Sequence, residues 1–172
     1  MDEKALDELL EKNFSNVNSW LNFAEAKNAA NIAFVVASIA AIFSLEGRNI
    51  LLYVICVFLI ISGIGSLISF LPRVGNKMAR TTLFFEKSMK MNGDNLVFFE
   101  NIKEYSGDEY LKQVCKMYFG KNNYSPTKYQ SDLSDEIVYN SNVASDKYKI
   151  FRLAVFLDIV AFADLVFFII MA

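Results

Sequence analysis

Six cations beside apolar segments are the first residues in this sequence that could bind a ligand. They are Arg73, Lys77, Arg80, Lys147, Lys149 and Arg152. Lysine and arginine at such positions commonly contact lipid headgroups and set the orientation of a membrane protein. The same groups can also line a site for an anionic ligand, because they make charge-assisted hydrogen bonds to phosphate. Both interpretations are open, and the six cations are our candidate ligand-binding residues.

Two aspartates, Asp158 and Asp164, interrupt the last apolar segment. An ionised aspartate at the centre of a bilayer costs about 2.5–3.5 kcal/mol on insertion scales, so such residues usually face a bundle interior or water. A six-residue separation is about 240° around a helix after one full turn, so the two do not share a face. They could be protonated packing residues, with Asp158 reaching the interface near Arg152. Alternatively they form a polar seam, which is our candidate for the membrane-effector function.

No catalytic constellation is present in the sequence. It contains no histidine, which removes the commonest general base and zinc ligand. Neighbouring carboxylates such as Asp135 and Glu136 point apart on a helix, and no phosphate-binding glycine loop or nucleophile elbow occurs. The net charge of −2 argues against nucleic-acid binding. We therefore expect no enzyme activity, no cofactor and no metal site.

The element that must position these residues is the stretch 50–71, which contains no charged residue and no proline. A helix of that length is roughly 33 Å long, enough to cross a hydrocarbon core of about 30 Å. Two further apolar stretches, 29–45 and 153–172, predict a first and a third span. Alanines Ala33, Ala37 and Ala41 share one face of the first, and Ser62, Ser66 and Ser69 share one of the second. Small residues allow close helix packing in lipid, so we expect these two helices to form a hairpin through these faces.

The remaining sequence predicts helices without strands. Residues 3–28 have the periodicity of an amphipathic helix that continues into the first span. In the polar block, helices are predicted over 78–91, 95–105 and 108–119, with Ser106 and Glu109 spaced as a capping box. Ser125 followed by Pro126 predicts the start of a final helix from about residue 127.

These elements together predict an all-α integral membrane protein with three transmembrane helices and a small cytoplasmic helical domain. The expected parts are a cytoplasmic amphipathic helix (1–28), a transmembrane hairpin (29–72), a cytoplasmic helical domain (73–149) and a C-terminal transmembrane helix (150–172). The excess of lysine and arginine on one side predicts that the N-terminus and 73–149 are cytoplasmic.

Four short motifs, in their order relative to the spans, resemble a known family. WLNFAEAKNAA at 20–30 precedes the first span, and LPR at 71–73 ends the second. FFENIKEY follows at 98–105, and KYKIFRLA at 147–154 leads into the last span. The order resembles the membrane-spanning effectors of bacterial Pycsar anti-phage systems. That resemblance implies a multi-pass protein of the bacterial inner membrane and a partner cyclase that makes a cyclic nucleotide second messenger on infection.

The resemblance implies a nucleotide-responsive effector that impairs the inner membrane in an abortive-infection response. Three spans cannot enclose a pore alone, so we expect a homo-oligomer in the bilayer. The alternative is a non-signalling helical membrane scaffold or an accessory subunit of a larger complex. A nucleotide cyclase encoded by the neighbouring gene would favour the effector, and a transporter or secretion operon would favour the scaffold.

Overall fold

Five α-helices form the regular structure of the described residues, which in this computed structural model are 3–45, 50–71 and 94–171. They are α1 (Glu3–Phe43), α2 (Ile50–Ile68), α3 (Phe99–Ile102), α4 (Gly107–Phe119) and α5 (Lys128–Met171). The all-helical prediction is confirmed over these ranges. The predicted helix at 78–91 and the hairpin connection at 46–49 lie outside the described residues.

Three of the helices, α1, α2 and α5, are long and apolar enough to cross a membrane. The predicted continuity of the N-terminal amphipathic helix with the first span is confirmed, because α1 runs unbroken over 41 residues. The last span likewise continues a helix that begins well before it, at Lys128.

The helices group into two compact units. The first, which we call the polar unit, comprises Met1–Phe23 and Gly75–Asp146. The apolar periodicity of α1 is buried here, with Leu6, Leu10 and Val17 fully inaccessible. A buried polar contact adds specificity, because Asn13 Nδ2 donates to the Tyr110 hydroxyl at 2.8 Å and this hydroxyl donates to the Leu96 carbonyl at 3.1 Å. α1 and α4 are thus joined by packing and by hydrogen bonds.

One helix of the polar unit is shorter than predicted. Residues 95–105 were expected to be helical throughout, but α3 covers only Phe99–Ile102. Asn95 explains the late start, because its side-chain oxygen accepts from the Val97 backbone N–H at 3.0 Å and its carbonyl accepts from the Phe98 N–H at 3.1 Å. An asparagine that bonds its own neighbouring backbone favours a turn over a helix.

The predicted capping box at the start of α4 is confirmed. Ser106 Oγ accepts from the Glu109 N–H at 3.3 Å, and Glu109 Oε2 accepts from the Ser106 N–H at 3.0 Å. Gly120 ends the helix in the left-handed region at φ 65°, where glycine carries no steric penalty.

The predicted start of the last helix, at about residue 127, is confirmed to within one residue by α5, but the predicted cap is not. Ser125 does not cap this helix; Thr127 does, since Thr127 Oγ1 accepts from the Gln130 N–H at 3.3 Å and Gln130 Oε1 accepts from the Thr127 N–H at 3.0 Å. Threonine followed three residues later by glutamine is itself a capping-box sequence.

The second unit, which we call the apolar unit, comprises Ala24–Val74 and Lys147–Ala172. Its apolar core is one cluster from α1, α2 and α5 with the members Val35, Ile42, Leu52, Ile55, Leu59 and Ala161. α1 and α2 approach closely at Gly63, where an added Cβ would lie 3.2 Å from Val35 Cγ1. The hairpin packing predicted for these helices is therefore present.

The face through which α1 packs in the apolar unit differs from the prediction. Ala33, Ala37 and Ala41 are exposed, and the buried stripe of α1 instead includes Asn28 and Asn31. Ala33 lies about 200° around the helix from Asn31, on the opposite face. An amide exposed to lipid costs more than an alanine exposed to lipid, so the asparagines take the interior position. The serine face of α2 is confirmed, because Ser62, Ser66 and Ser69 are all buried.

Candidate functional site

A buried polar seam runs along one half of the apolar unit, and it begins with Asn31 and the serines of α2. Asn31 Nδ2 donates to Ser62 Oγ at 3.0 Å and to Ser66 Oγ at 3.1 Å. Ser62 Oγ in turn donates to the Ala154 carbonyl of α5 at 3.2 Å. The seam therefore connects all three long helices by hydrogen bonds. We define the polar seam as Asn31, Ser62, Ser66 and Asp158.

Asp158 is the ionisable member of the seam. It is only 6% exposed, and neither of its carboxyl oxygens has a hydrogen-bond partner among the described residues. Ser62 and Asn31 lie beside its carboxyl group, close enough to interact with it, and the same two side chains also bond within the seam, to the serine hydroxyls and to the Ala154 carbonyl. Asp158 is buried in the apolar unit, whereas Arg152 is exposed.

Asp164, the second candidate of the predicted seam, is half-buried, whereas Asp158 is buried. This agrees with the 240° separation expected on one helix. Along α5 the buried positions of the apolar unit are Lys147, Ile150, Ala154, Asp158 and Ala161, spaced by three or four residues. Only Asp158 follows that stripe, so the helix brings one of the two aspartates into the bundle interior.

The cation Lys147 lies at the end of α2 in the apolar unit. Its ammonium donates to Glu25 Oε1 at 2.9 Å and to the Ser69 carbonyl at 2.6 Å, and it lies 5.7 Å from the centroid of the Phe70 ring. The lysine side chain is 7% exposed. The last carbonyl oxygens of a helix have no N–H donor within the helix. A buried ammonium at this position supplies the missing hydrogen-bond donor. Lys147 thus ties α1, α2 and α5 together and is already occupied by these contacts.

The six candidate ligand-binding cations do not form one cluster in the described residues. Arg73, Lys77 and Arg80 lie outside these residues. Of the other three, Lys147 is buried as just described, Lys149 is half-buried and Arg152 is exposed.

A further cation that we did not include among the candidates is Lys27. Its ammonium lies 5.2 Å from the centroid of the Tyr148 ring and 5.4 Å from the centroid of the Phe151 ring. Its signal in the sequence was weak, a single lysine four residues before an asparagine of the seam.

Sequence reasoning missed two residues that organise this site, Asn31 and Glu25. Asn31 was visible as an asparagine just inside an apolar stretch, where an amide needs an interior partner. Glu25 offered no such signal, because its partner Lys147 is 122 residues away in the chain.

The next groups to consider are the metal-binding and nucleophilic side chains in the part of the chain that the structure describes. No set of three or more His, Cys, Asp or Glu side chains is placed to hold a metal there. In the polar unit, burial raises the pKa of the Cys115 thiol and of the Tyr110 hydroxyl above their ordinary values. A buried thiol with a raised pKa is a poor nucleophile, so Cys115 has a structural role.

Three apolar helices around a polar seam define a helical membrane protein. Within that class, the family model described as PycTM, the Pycsar effector protein domain, matches residues 9–172. The chain therefore belongs to the Pycsar effector family of transmembrane type, and the resemblance noted from its motifs is confirmed. Comparisons with curated proteins and with solved structures give no match.

Proposed function

We propose that this protein is a nucleotide-responsive effector of the bacterial inner membrane that impairs the membrane when a phage infects the cell. The observation that supports it most is the match to the Pycsar effector family over 9–172, in a chain with three helices able to span a bilayer. Membership of the family implies anti-phage signalling through a cyclic nucleotide made by a partner cyclase. The infected cell then stops growing before new phage matures.

The structure is consistent with a closed resting state of such an effector. The apolar core of the apolar unit is filled by branched side chains, with Ile55 at 1% and Leu59 at 3% exposure. Ions do not cross a dry apolar core of this kind. Activation must therefore repack these helices or assemble several copies, and we propose that the active form is a homo-oligomer.

The ligand of this effector, we propose, is a cyclic nucleotide bound by cations at the membrane edge. Lys149 and Arg152 have side chains at least partly open to solvent, and Arg73, Lys77 and Arg80 complete the set in the sequence. Lys147 contributes differently, since its ammonium already contacts Glu25 and Ser69. We propose that it holds the end of α2 and does not contact the phosphate.

The test is leakage from liposomes that carry the purified full-length protein and a trapped dye. A panel of cyclic mononucleotides and cyclic oligonucleotides is added to identical samples, with protein-free vesicles as the control. We expect dye release with one nucleotide class and none without nucleotide. A protein that binds no nucleotide of the panel and releases no dye with any of them would contradict the proposed function.

A further inference from the structure

Four large apolar side chains lie at the surface of the polar unit, two from α1 and two from the turn before α3. Trp20 and Phe23 are one helical turn apart on α1, and Val97 and Phe98 precede α3. The centroids of the Trp20 and Phe98 rings are 6.2 Å apart, in an edge-to-face arrangement. Phe23 is 51% exposed, and Val97 and Phe98 are each 37% exposed. We call these four residues the aromatic patch.

The contacts of the turn before α3 hold Phe98 at the surface. Asn16 Nδ2 donates to the Val97 carbonyl at 3.0 Å, which ties the turn to α1. Leu96 and Phe99, on either side of the exposed pair, are buried in the core of the polar unit. The turn is therefore fixed by its own buried residues, and its orientation leaves Val97 and Phe98 outside. Contiguous exposed apolar side chains of this kind mark interaction sites.

The composition of α1 changes where it approaches the aromatic patch. Within 3–12 six side chains are charged, namely Glu3, Lys4, Asp7, Glu8, Glu11 and Lys12. Residues 13–24 contain no charged side chain, and neither do residues 95–99 of the turn. A protein surface in water is usually rich in charged residues of both signs. Tryptophan among uncharged side chains is instead typical of the boundary between membrane and water.

The position of the aromatic patch along α1 fits the headgroup layer of a bilayer. α1 continues unbroken to Glu25, whose carboxylate pairs with the Lys147 ammonium beside the Ser69 carbonyl. The apolar helix α2 ends at that carbonyl, so Glu25 lies near the edge of the hydrocarbon core. Trp20 is five residues before Glu25 in the sequence, which is about 7 Å of helix. The headgroup layer on each side of the core is about 5–7 Å thick.

We propose that the aromatic patch docks the polar unit on the headgroup layer of the lipid bilayer. Aromatic rings are favoured in that layer, because it is neither fully apolar nor fully aqueous. Trp20 and Phe23 contact it from α1, whereas Phe98 contacts it from a turn that does not enter the membrane. The polar unit is thus held against the lipid by a second element besides the helices that continue into the spans. This contact is independent of the nucleotide response proposed above.

The experiment measures tryptophan fluorescence, because Trp20 is the single tryptophan of the chain. The purified full-length protein is reconstituted in liposomes that contain phosphatidylcholine with a nitroxide on its headgroup, which quenches tryptophan only at short range. Liposomes of unlabelled phosphatidylcholine give the reference intensity. The variant Trp20→Phe with Phe98→Trp moves the tryptophan from α1 to the turn before α3. We expect the labelled lipid to quench most of the fluorescence of this variant.

The matched control is the variant Trp20→Phe with Tyr129→Trp. Tyr129 is also in the polar unit and is 52% exposed. Its hydroxyl donates to Glu11 Oε1 at 2.9 Å, and Glu11 lies about 21 Å of helix before Glu25 on α1. We expect the labelled lipid to leave the fluorescence of the control unchanged, and acrylamide in the water phase to quench it.

The two quenchers together decide what covers the aromatic patch. Equal quenching of Phe98→Trp and Tyr129→Trp by the labelled lipid overturns the proposal. A tryptophan at 98 that only acrylamide reaches faces water, and one that neither quencher reaches is covered by another copy of the chain; both results overturn it as well. If the Phe98→Trp variant does not fold, Trp20 of the wild-type protein is compared with the same control, and the same results support or overturn the proposal.

Discussion

Lys147 donates a hydrogen bond to the carbonyl oxygen of Ser69 at 2.6 Å, so a cation of α5 caps the C-terminal end of α2. The partial negative charge of a helix C-terminus favours a cation at this position. The same ammonium pairs with Glu25 of α1, and one side chain therefore fixes three helices at one end of the apolar unit. α2 leads from there into the stretch that carries Arg73, Lys77 and Arg80.

Replacing Lys147 by methionine should destabilise the apolar unit. The change leaves the Ser69 carbonyl without its donor and Glu25 without its partner, and hydrogen bonds to charged groups contribute about 1.5–3 kcal/mol each. We expect a lower thermal unfolding midpoint for the purified protein in detergent. Lys149→Met, two residues along the same helix and half-buried, is the matched control and should change the midpoint little. Equal effects of the two variants would rule out the capping role.

The polar unit should lose stability in alkaline solution. Burial, together with the hydrogen bond from the Tyr105 hydroxyl to Asp94 Oδ2 at 2.8 Å, raises the pKa of Tyr105 to about 12. An unfolded tyrosine ionises near pH 10, so the unfolded state releases its proton first. The contribution of Tyr105 is complete below pH 10 and is lost as the pH rises towards 12. In urea unfolding at several pH values, Tyr105→Phe should show a shallower alkaline decline than the wild type; an identical decline would contradict this assignment.

The sequence predicted the elements of this fold better than their contacts. Hydropathy and length are local properties, so each of the three apolar helices could be predicted from its own stretch of sequence, and the serine face of α2 from residues 50–71. The packing face of α1 could not be predicted from its alanines, because two asparagines outweigh them in lipid. The capping of α2 by Lys147 was equally hidden, since it joins residues 78 positions apart.

The candidate site was predicted in part for the same reason. The 240° separation of Asp158 and Asp164 predicts that they occupy different faces, but the helical period cannot tell which one is interior. The interior position of Asp158 depends on contacts among Asn31, Ser62 and Ala154. These residues meet only when α1, α2 and α5 pack together. A role for the six cations in binding stays a prediction.

Neutralising cations at the membrane edge should weaken the binding of an anionic nucleotide. The triple variant Arg73→Gln, Arg80→Gln and Lys149→Gln removes three positive charges and keeps polar side chains in their place. Each charge-assisted contact to phosphate contributes about 1.5–3 kcal/mol, so even one lost contact should lower the affinity roughly tenfold or more. Calorimetry with the nucleotide found in the liposome test measures the change. An unchanged affinity in a variant that inserts normally would move the site elsewhere.

The orientation of the chain can be tested with reporters of compartment. The charge bias of the flanking residues predicts that a reporter fused after Ala172 is periplasmic and one inserted after Asn122 is cytoplasmic. Paired alkaline phosphatase and fluorescent protein fusions at both sites give opposite signals in each compartment. Two fusions that report the same side would exclude three spans.

The barrier to ions in the resting protein should lie in the apolar half of the bundle. Along α2 the buried positions change from Ser66 and Ser62 to Leu59, Ile55 and Leu52. These three apolar positions extend over about 10 Å of helix, and a dry apolar segment of that length stops ions by excluding water. A hydroxyl group at Ile55 would continue the polar seam into this segment.

Ile55→Ser should therefore leak ions without any nucleotide. The matched control is Ile60→Ser on the same helix, because Ile60 is 48% exposed while Ile55 is 1% exposed. Ile55→Ala is the second control, since it leaves a similar cavity without adding a hydroxyl. We expect potassium efflux from liposomes with equal amounts of each protein to be highest for Ile55→Ser and near the wild-type level for Ile60→Ser. If efflux from Ile55→Ala is as fast as efflux from Ile55→Ser, loosened packing opens the bundle and a polar path does not. If efflux is equally low for all variants, the barrier to ions lies outside this apolar segment.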